Sequence, residues 1–155
     1  MLRRLQQICV YFLAIVFAVL VILAVVMWKS STLVEGTLTI PHLTAKATID
    51  RDDKGFVLIK ADNEADAYKA WGFATAQDRL LQIMLMRQMF QGHLSEIMGP
   101  KTIQIDKYMR YLDLESASKE SFKNLDKRVQ DSFRLYAEGV NAYLDQRPLP
   151  VMFVM

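Results

Sequence analysis

The chain has a single cysteine in 155 residues, Cys9, and it lies inside an uncharged apolar run. A disulfide framework and a cysteine-based metal site are therefore both excluded. Charge of one sign is also missing. Three of the 19 basic residues (Arg3, Arg4, Lys29) and none of the 17 acidic ones fall in the first 29 positions, leaving 16 basic against 17 acidic beyond them, a net −1. Such a balance gives no electrostatic footprint for nucleic acid. There is no internal repeat and no low-complexity tract. No G-x-S-x-G elbow and no H-E-x-x-H occurs among the two histidines and seven serines, and His93 and Ser95, two residues apart, do not meet on a helix. Asp50, Asp52 and Asp53 with Gly55 fit a solvated turn better than a calcium loop of EF-hand spacing. These residues by themselves predict no catalytic, substrate-binding or metal site.

What is present begins with Ile8 to Met27, 20 residues without a charge. A helix of that length, at about 1.5 Å per residue, matches the roughly 30 Å hydrocarbon core of a bilayer. Arg3 and Arg4 precede the run and only Lys29 follows closely, which places the N-terminus in the cytoplasm and the remainder outside. A cleaved secretory signal has a shorter apolar region, about 7 to 15 residues, and a small-residue cleavage site, which MWKSSTLVEG lacks. The reading is an uncleaved signal anchor over 1–29, single-pass in the inner (cytoplasmic) membrane, with the rest periplasmic.

Residues 30–46 read as a linker-like approach containing Gly36 and Pro41. Ala47 to Ala61 read as a hairpin: Ala47, Ile49 and Arg51 alternate with polar neighbours, Asp52-Asp53-Lys54-Gly55 supplies turn chemistry, and Phe56 to Ile59 is a compact apolar strand. Two strands alone are marginal in water, and few others are on offer here. From Asp62 the period becomes helical, with Asn63 as N-cap and an apolar face from Ala67 to about Phe90. Gly72 is expected to divide it into two helices, Gly92 to stop it, and Gly99-Pro100 to punctuate. A further helical region spans about Ile103 to Phe122. After a cap at Asp126, Val129, Phe133, Tyr136, Val140 and Tyr143 recur at helical spacing as one continuous stripe. The nine methionines read as core filler. The chain stops in VMFVM after Pro148-Leu149-Pro150, which reads as truncation or a change of frame.

The segment from Gly72 to Gly99 carries the most information. Asp78 and Arg79 have no oppositely charged neighbour at helical spacing. Unpaired burial of either would be costly, so they imply a solvated face or a long-range polar network. With no nucleophile nearby, Gln77, Asp78, Arg79, Gln82 and Arg87 are read as clamping this helix to other elements.

In order along the chain stand Arg51-Asp52, Gly55, Asp66-Ala67, Gly72-Phe73, Ala76-Gln77-Asp78-Arg79-Leu80, Gln82, Met84, Arg87, Gly92, Leu94, Glu96 and Gly99. Asp106, Arg110, Tyr136-Ala137, Gly139-Val140-Asn141-Ala142 and Leu149-Pro150 follow. This pattern resembles the start of the α-chain in the penicillin acylase (penicillin amidase) family of N-terminal nucleophile hydrolases, over roughly Ile49 to Phe153. The chain departs from it at Val57-Leu58, where a Pro-His pair is common, at Gln88, in place of a second arginine, and within Val151-Met152, in place of an acidic residue.

The resemblance implies an αββα enzyme, cut from a precursor into α- and β-chains, that hydrolyses amide bonds of acylated small molecules such as β-lactams or acyl-homoserine lactones. It also implies a serine at the β-chain N-terminus as nucleophile, its α-amine as base, and calcium in the full-length enzyme. No Ser-Asn precursor motif occurs here, and the family's pocket and calcium residues follow the Leu-Pro region. The expectation is thus a mainly α fragment with a short β-hairpin after a transmembrane helix, with 47–155 an incomplete domain and no catalytic activity of its own. Its scaffold residues are Arg51, Asp52, Gly55, Gln77, Asp78, Arg79, Gln82, Arg87, Gly92, Glu96, Gly139 and Asn141. Asp78, Arg79 and Arg87 are expected to find partners on the missing remainder of the α-chain and on the β-chain, with residues 8–27 meeting the membrane. The alternative is a non-catalytic, membrane-tethered helical interaction module.

Overall fold

A computed structural model describes residues 2–30, 36–37 and 39–146. The VMFVM end, Leu149-Pro150 and 31–35 of the approach lie outside the described residues. The chain forms two units, one containing the first helix and one spanning Leu38–Gln146.

The first unit holds α1, Leu2–Ser30, 29 residues of unbroken helix. Its described apolar side chains from Tyr11 to Val25 are all exposed. That described stretch is shorter than the ~20 residues a span requires. Among the described residues no helix is long and apolar enough to cross a membrane. Side chains of the run read over 8–27 are described from Tyr11 to Val25.

In the second unit, β1 (Thr48–Arg51) and β2 (Val57–Lys60) form a two-stranded antiparallel sheet, with Ile49 opposite Ile59 and Arg51 opposite Val57. Its turn is built by Asp52. The carboxylate accepts from the backbone N–H of Lys54 (3.0 Å) and Phe56 (2.8 Å), and Gly55 takes φ +82°, a conformation an L-residue resists. Ala47, Ile49 and Arg51 are half-buried while their neighbours face out, the alternation read from the sequence; in the second strand, read as compactly apolar, Ile59 is half-buried and Phe56, Val57 and Leu58 are exposed.

Helix α2 runs Glu64–Phe90. Asn63 caps it as expected, its side chain accepting from the backbone N–H of Asp66 at 2.8 Å. Gly72 does not break it. A Cβ there would lie 2.0 Å from the carbonyl oxygen of Tyr136, and one on Gly139 would lie 2.0 Å from that of Lys69. Both glycines serve a close crossing between α2 and α6 (Lys127–Gln146), so the ~1 kcal/mol that glycine costs a helix interior is outweighed by tertiary contact. The interruption comes instead at Arg79, whose φ −137° and ψ 24° are not helical.

Around the crossing Ala70, Phe73, Ala74, Ala76 and Leu80 are buried with Ala142 and Tyr143. Phe73 meets Tyr143 edge-on with ring centroids 5.4 Å apart, and Trp71 meets Tyr136 at 5.3 Å. The apolar stripe of α6 is only half used. Gly139, Ala142 and Tyr143 are buried, whereas Val129 and Phe133 are exposed, the Phe133 ring lying 6.2 Å from that of Phe122. Asp126 does cap α6, accepting from the N–H of Arg128 at 2.8 Å.

The expected third helical region is two helices, α4 (Ile103–Leu112) and α5 (Leu114–Lys123), because Asp113 adopts the left-handed conformation between them at φ 46°. A single turn, α3 (Ser95–Met98), and a 3-10 turn opened by Pro100 connect α2 to α4. The five methionines whose burial is described do not fill the core: Met86 and Met98 are exposed, and Met84, Met89 and Met109 are half-buried.

Candidate functional site

Three polar clusters fix the elements of the second unit. The first lies where the hairpin meets α2. Arg51, at the end of β1, donates from Nη2 to Gln77 Oε1 (2.6 Å) and Asp78 Oδ1 (3.1 Å). Asp78 thus has its partner within this chain, 27 residues away, and is not waiting for a missing segment. The pairing follows from strand alternation, which turns Arg51 inward with Ala47 and Ile49.

The second cluster surrounds Asp66, which is 1% exposed. Its carboxylate accepts from the Thr44 hydroxyl (2.6 Å), from the N–H groups of Thr44 and Ala45, and from Asn63 Nδ2. The Thr44 hydroxyl acts most strongly on its pKa; against the opposing effect of burial, these donors lower it to about 2. Beside it, buried Lys69 donates to the carbonyl of His42 at 2.9 Å and pairs with Glu138 of α6 at 3.0 Å. One turn of α2 therefore fastens the approach to the hairpin on one side and α6 on the other.

The third cluster clamps the turn after α2. Buried Asp106 accepts from the N–H groups of Leu94 and Ser95, both at 2.8 Å, and Arg110 Nε donates to the carbonyl of Gly92 at 2.8 Å. Burial alone would raise the Asp106 carboxyl pKa, but Ser95, the N–H groups of Ser95 and Leu94, and Arg110 together hold it below the usual value. Gly92 has φ +69°, and a Cβ there would lie 2.5 Å from Arg110 Cγ.

Of the expected scaffold residues, Arg51, Gln77, Asp78 and Gly92 fall in these clusters. Asp52 and Gly55 build the hairpin turn, Gly139 makes the helix crossing, and Gly92 forms the clamped turn. Glu96 lies next to it, 2.6 Å from His93 Nδ1. Gln77 is buried, but Asp78, Arg79, Gln82 and Arg87 are exposed, so no interior network joins all five. Arg87 and Asn141 are exposed and have no side-chain hydrogen bond or ion pair among the described residues. Sequence reasoning did not single out Asp66, Lys69, Asp106 or Arg110 as site residues. Asp66 three residues after Asn63, and Arg110 one helical turn after Asp106, were the available signals.

Between the hairpin and α2 lies a groove of about 560 Å³. Its walls carry Arg51, Val57, Ile59, Trp71, Asp78 and Arg79. Thr75 also lines it, but its hydroxyl donates to the Trp71 carbonyl at 2.8 Å. The groove offers guanidinium groups and apolar surface and no nucleophile beside a base. Among the described residues no three His, Cys, Asp or Glu side chains are grouped so as to hold a metal ion.

Comparison with known proteins agrees with this architecture. The penicillin amidase family model matches residues 46–155. The penicillin acylase 2 proenzyme of Pseudomonas sp. (strain SE83) is 40% identical over 119 residues, 76% of this chain and 15% of that protein. The acyl-homoserine lactone acylase QuiP of Pseudomonas aeruginosa is 38% identical over 109 residues, 70% of this chain and 13% of its own length. A thermostable penicillin G acylase from Alcaligenes faecalis superposes with a TM-score of 0.57 at 32% identity, covering 65% of this chain and 54% of that one. The chain spans about 15% of the length of the first curated relative. The family match over residues 46–155 and the 40% identity to the SE83 proenzyme together show that the chain belongs to the penicillin amidase family.

Proposed function

We propose that this chain is the N-terminal scaffold segment of a membrane-anchored amidohydrolase acting on acylated small molecules of the β-lactam or acyl-homoserine lactone kind, and that it hydrolyses nothing by itself. The observation that carries this reading is the state of the motif residues: Arg51, Gln77, Asp52, Gly92 and Gly139 join and shape elements, and none activates a nucleophile. The related enzymes are named for acylase activity on penicillins and acyl-homoserine lactones. A nucleophile and, where the whole enzyme uses calcium, the ligands for it would come from polypeptide other than the described residues.

Phe56 is 72% exposed, Tyr111 84% and Met98 59%, on the hairpin, α4 and α3. The anchor is proposed from the uncharged run at 8–27, with the N-terminus cytoplasmic and the second unit periplasmic.

The test is the purified full chain, in detergent, incubated with N-acyl p-nitroanilides and with an N-acyl-homoserine lactone. No release of nitroaniline or homoserine lactone above buffer is expected. Turnover by the chain alone overturns the scaffold reading. For the anchor, resistance to alkaline carbonate extraction is expected, and release into the supernatant contradicts it.

A further inference from the structure

The groove between the hairpin and α2 has a charge imbalance and a preset apolar wall. Arg51 is already engaged with Asp78 and Gln77. Arg79 is exposed, and its side chain makes one hydrogen bond among the described residues, a long one of 3.3 Å to Gln82 on the same helix. The groove therefore holds two guanidinium groups against one carboxylate. At Arg79 the backbone leaves helical geometry, with φ −137° and ψ 24°, beside this groove. Facing it, the Trp71 indole is 53% exposed yet held edge-on by Tyr136 at 5.3 Å, and Val57 and Ile59 extend the apolar side.

Resting on the proposed function, we infer that this groove receives one carboxylate-bearing residue, flanked by apolar residues, from an extended segment of the remaining acylase polypeptide, with Arg79 as its ion-pair partner and Trp71 as its apolar wall. Charge complementarity calls for the carboxylate. The matched region is 15% of the first curated relative and 13% of the second, so most of that polypeptide is left to supply the segment. Arginine and tryptophan are also the residue types that dominate interface energetics.

The experiment uses the full chain, tagged, and as probe the Pseudomonas SE83 penicillin acylase 2 proenzyme lacking the segment that matches this chain. Association is measured for the unaltered chain, Arg79→Glu, Arg79→Lys and, as a remote control, Arg134→Glu on α6. Arg79→Glu is expected to weaken association about 30-fold or more, Arg79→Lys less, and Arg134→Glu not at all. Raised salt should weaken the unaltered complex and narrow the gap. A scan of acidic residues to lysine in the probe should find one that restores binding to Arg79→Glu. Equal binding by Arg79→Glu and the unaltered chain overturns the groove inference and leaves the proposed function standing. Absence of any association by the unaltered chain removes both. Binding of phenylacetate alone to the groove, with no dependence of probe binding on Arg79, would replace the polypeptide with a small carboxylate.

Discussion

Replacing Gly139 by alanine sets two effects against each other at the α2–α6 crossing. Alanine is the better helix former by about 1 kcal/mol, so an open site would gain stability. Here the new Cβ would stand 2.0 Å from the Lys69 carbonyl oxygen, 2.8 Å from its carbon and 2.9 Å from the Phe73 nitrogen. All three are backbone atoms, so no rotamer change relieves the clash. The helices must separate by about 1 Å to reach even the closest Cβ contact seen in proteins, loosening the packing of Ala70, Phe73, Ala76 and Tyr143. Overpacking of this kind costs about 1–3 kcal/mol, and a backbone-to-backbone clash sits at the upper end. The expected net loss is about 2 kcal/mol, or roughly 10 °C in Tm for a unit of this size. Gly72→Ala should behave alike, and the double variant should lose less than the two singles together, because one separation relieves both clashes. Urea titration followed by circular dichroism of the full chain reads these values. A Gly139→Ala chain as stable as the parent, or more so, would falsify the close crossing.

Gly55→Ala offers the complementary case, since nothing lies within 4 Å of its Cβ while φ is +82°; it should cost about 1 kcal/mol from backbone strain alone, read by the same titration. Arg51→Ala removes the bridge from the hairpin to Gln77 and Asp78. For this partly exposed pair the loss is about 1 kcal/mol, seen as roughly fivefold faster hydrogen exchange at Asp50 and Leu58, a hydrogen-bonded pair of the hairpin, and unchanged exchange would contradict the bridge. The Asp66 carboxyl should titrate near pH 2 by carboxyl-carbon NMR, not near 3.8. Its folded pKa is the depressed one, so its contribution is complete above about pH 4 and is lost as pH falls toward 2; a midpoint at 3.8 would refute the Thr44–Ala45 cradle.

Local chemistry made much of this fold legible. Asp52 and Gly55 announced their turn, Asn63 and Asp126 their caps, and Gly92 its stop, because each acts on backbone groups within a few residues. Gly72 shows why other features were not legible. In isolation glycine reads as a helix break, and only the backbone of α6, more than 60 residues on, turns it into a contact. Arg51 and Asp78 were each noticed, the first for its family motif and the second for lacking a helical partner. Joining them needed the fold that brings β1 against α2. The stripe of α6 predicted burial along its whole length, but α2 covers only its second half, which leaves Phe133 at 57% exposure. The burial of Lys69 and Asp106 was not legible because a charged residue on a helix is ordinarily solvated, and it depends on His42, Glu138 and the turn at Leu94.

The central claim is that this chain supplies structure to an amidohydrolase whose reactive groups lie elsewhere. The direct measurement is the rate of amide hydrolysis by the purified full chain alone, by the SE83 proenzyme lacking its matching segment alone, and by the two co-expressed. The account predicts hydrolysis from the co-expressed pair and none from either part. Hydrolysis by this chain without the other, or inactivity of a pair shown to associate, would contradict it.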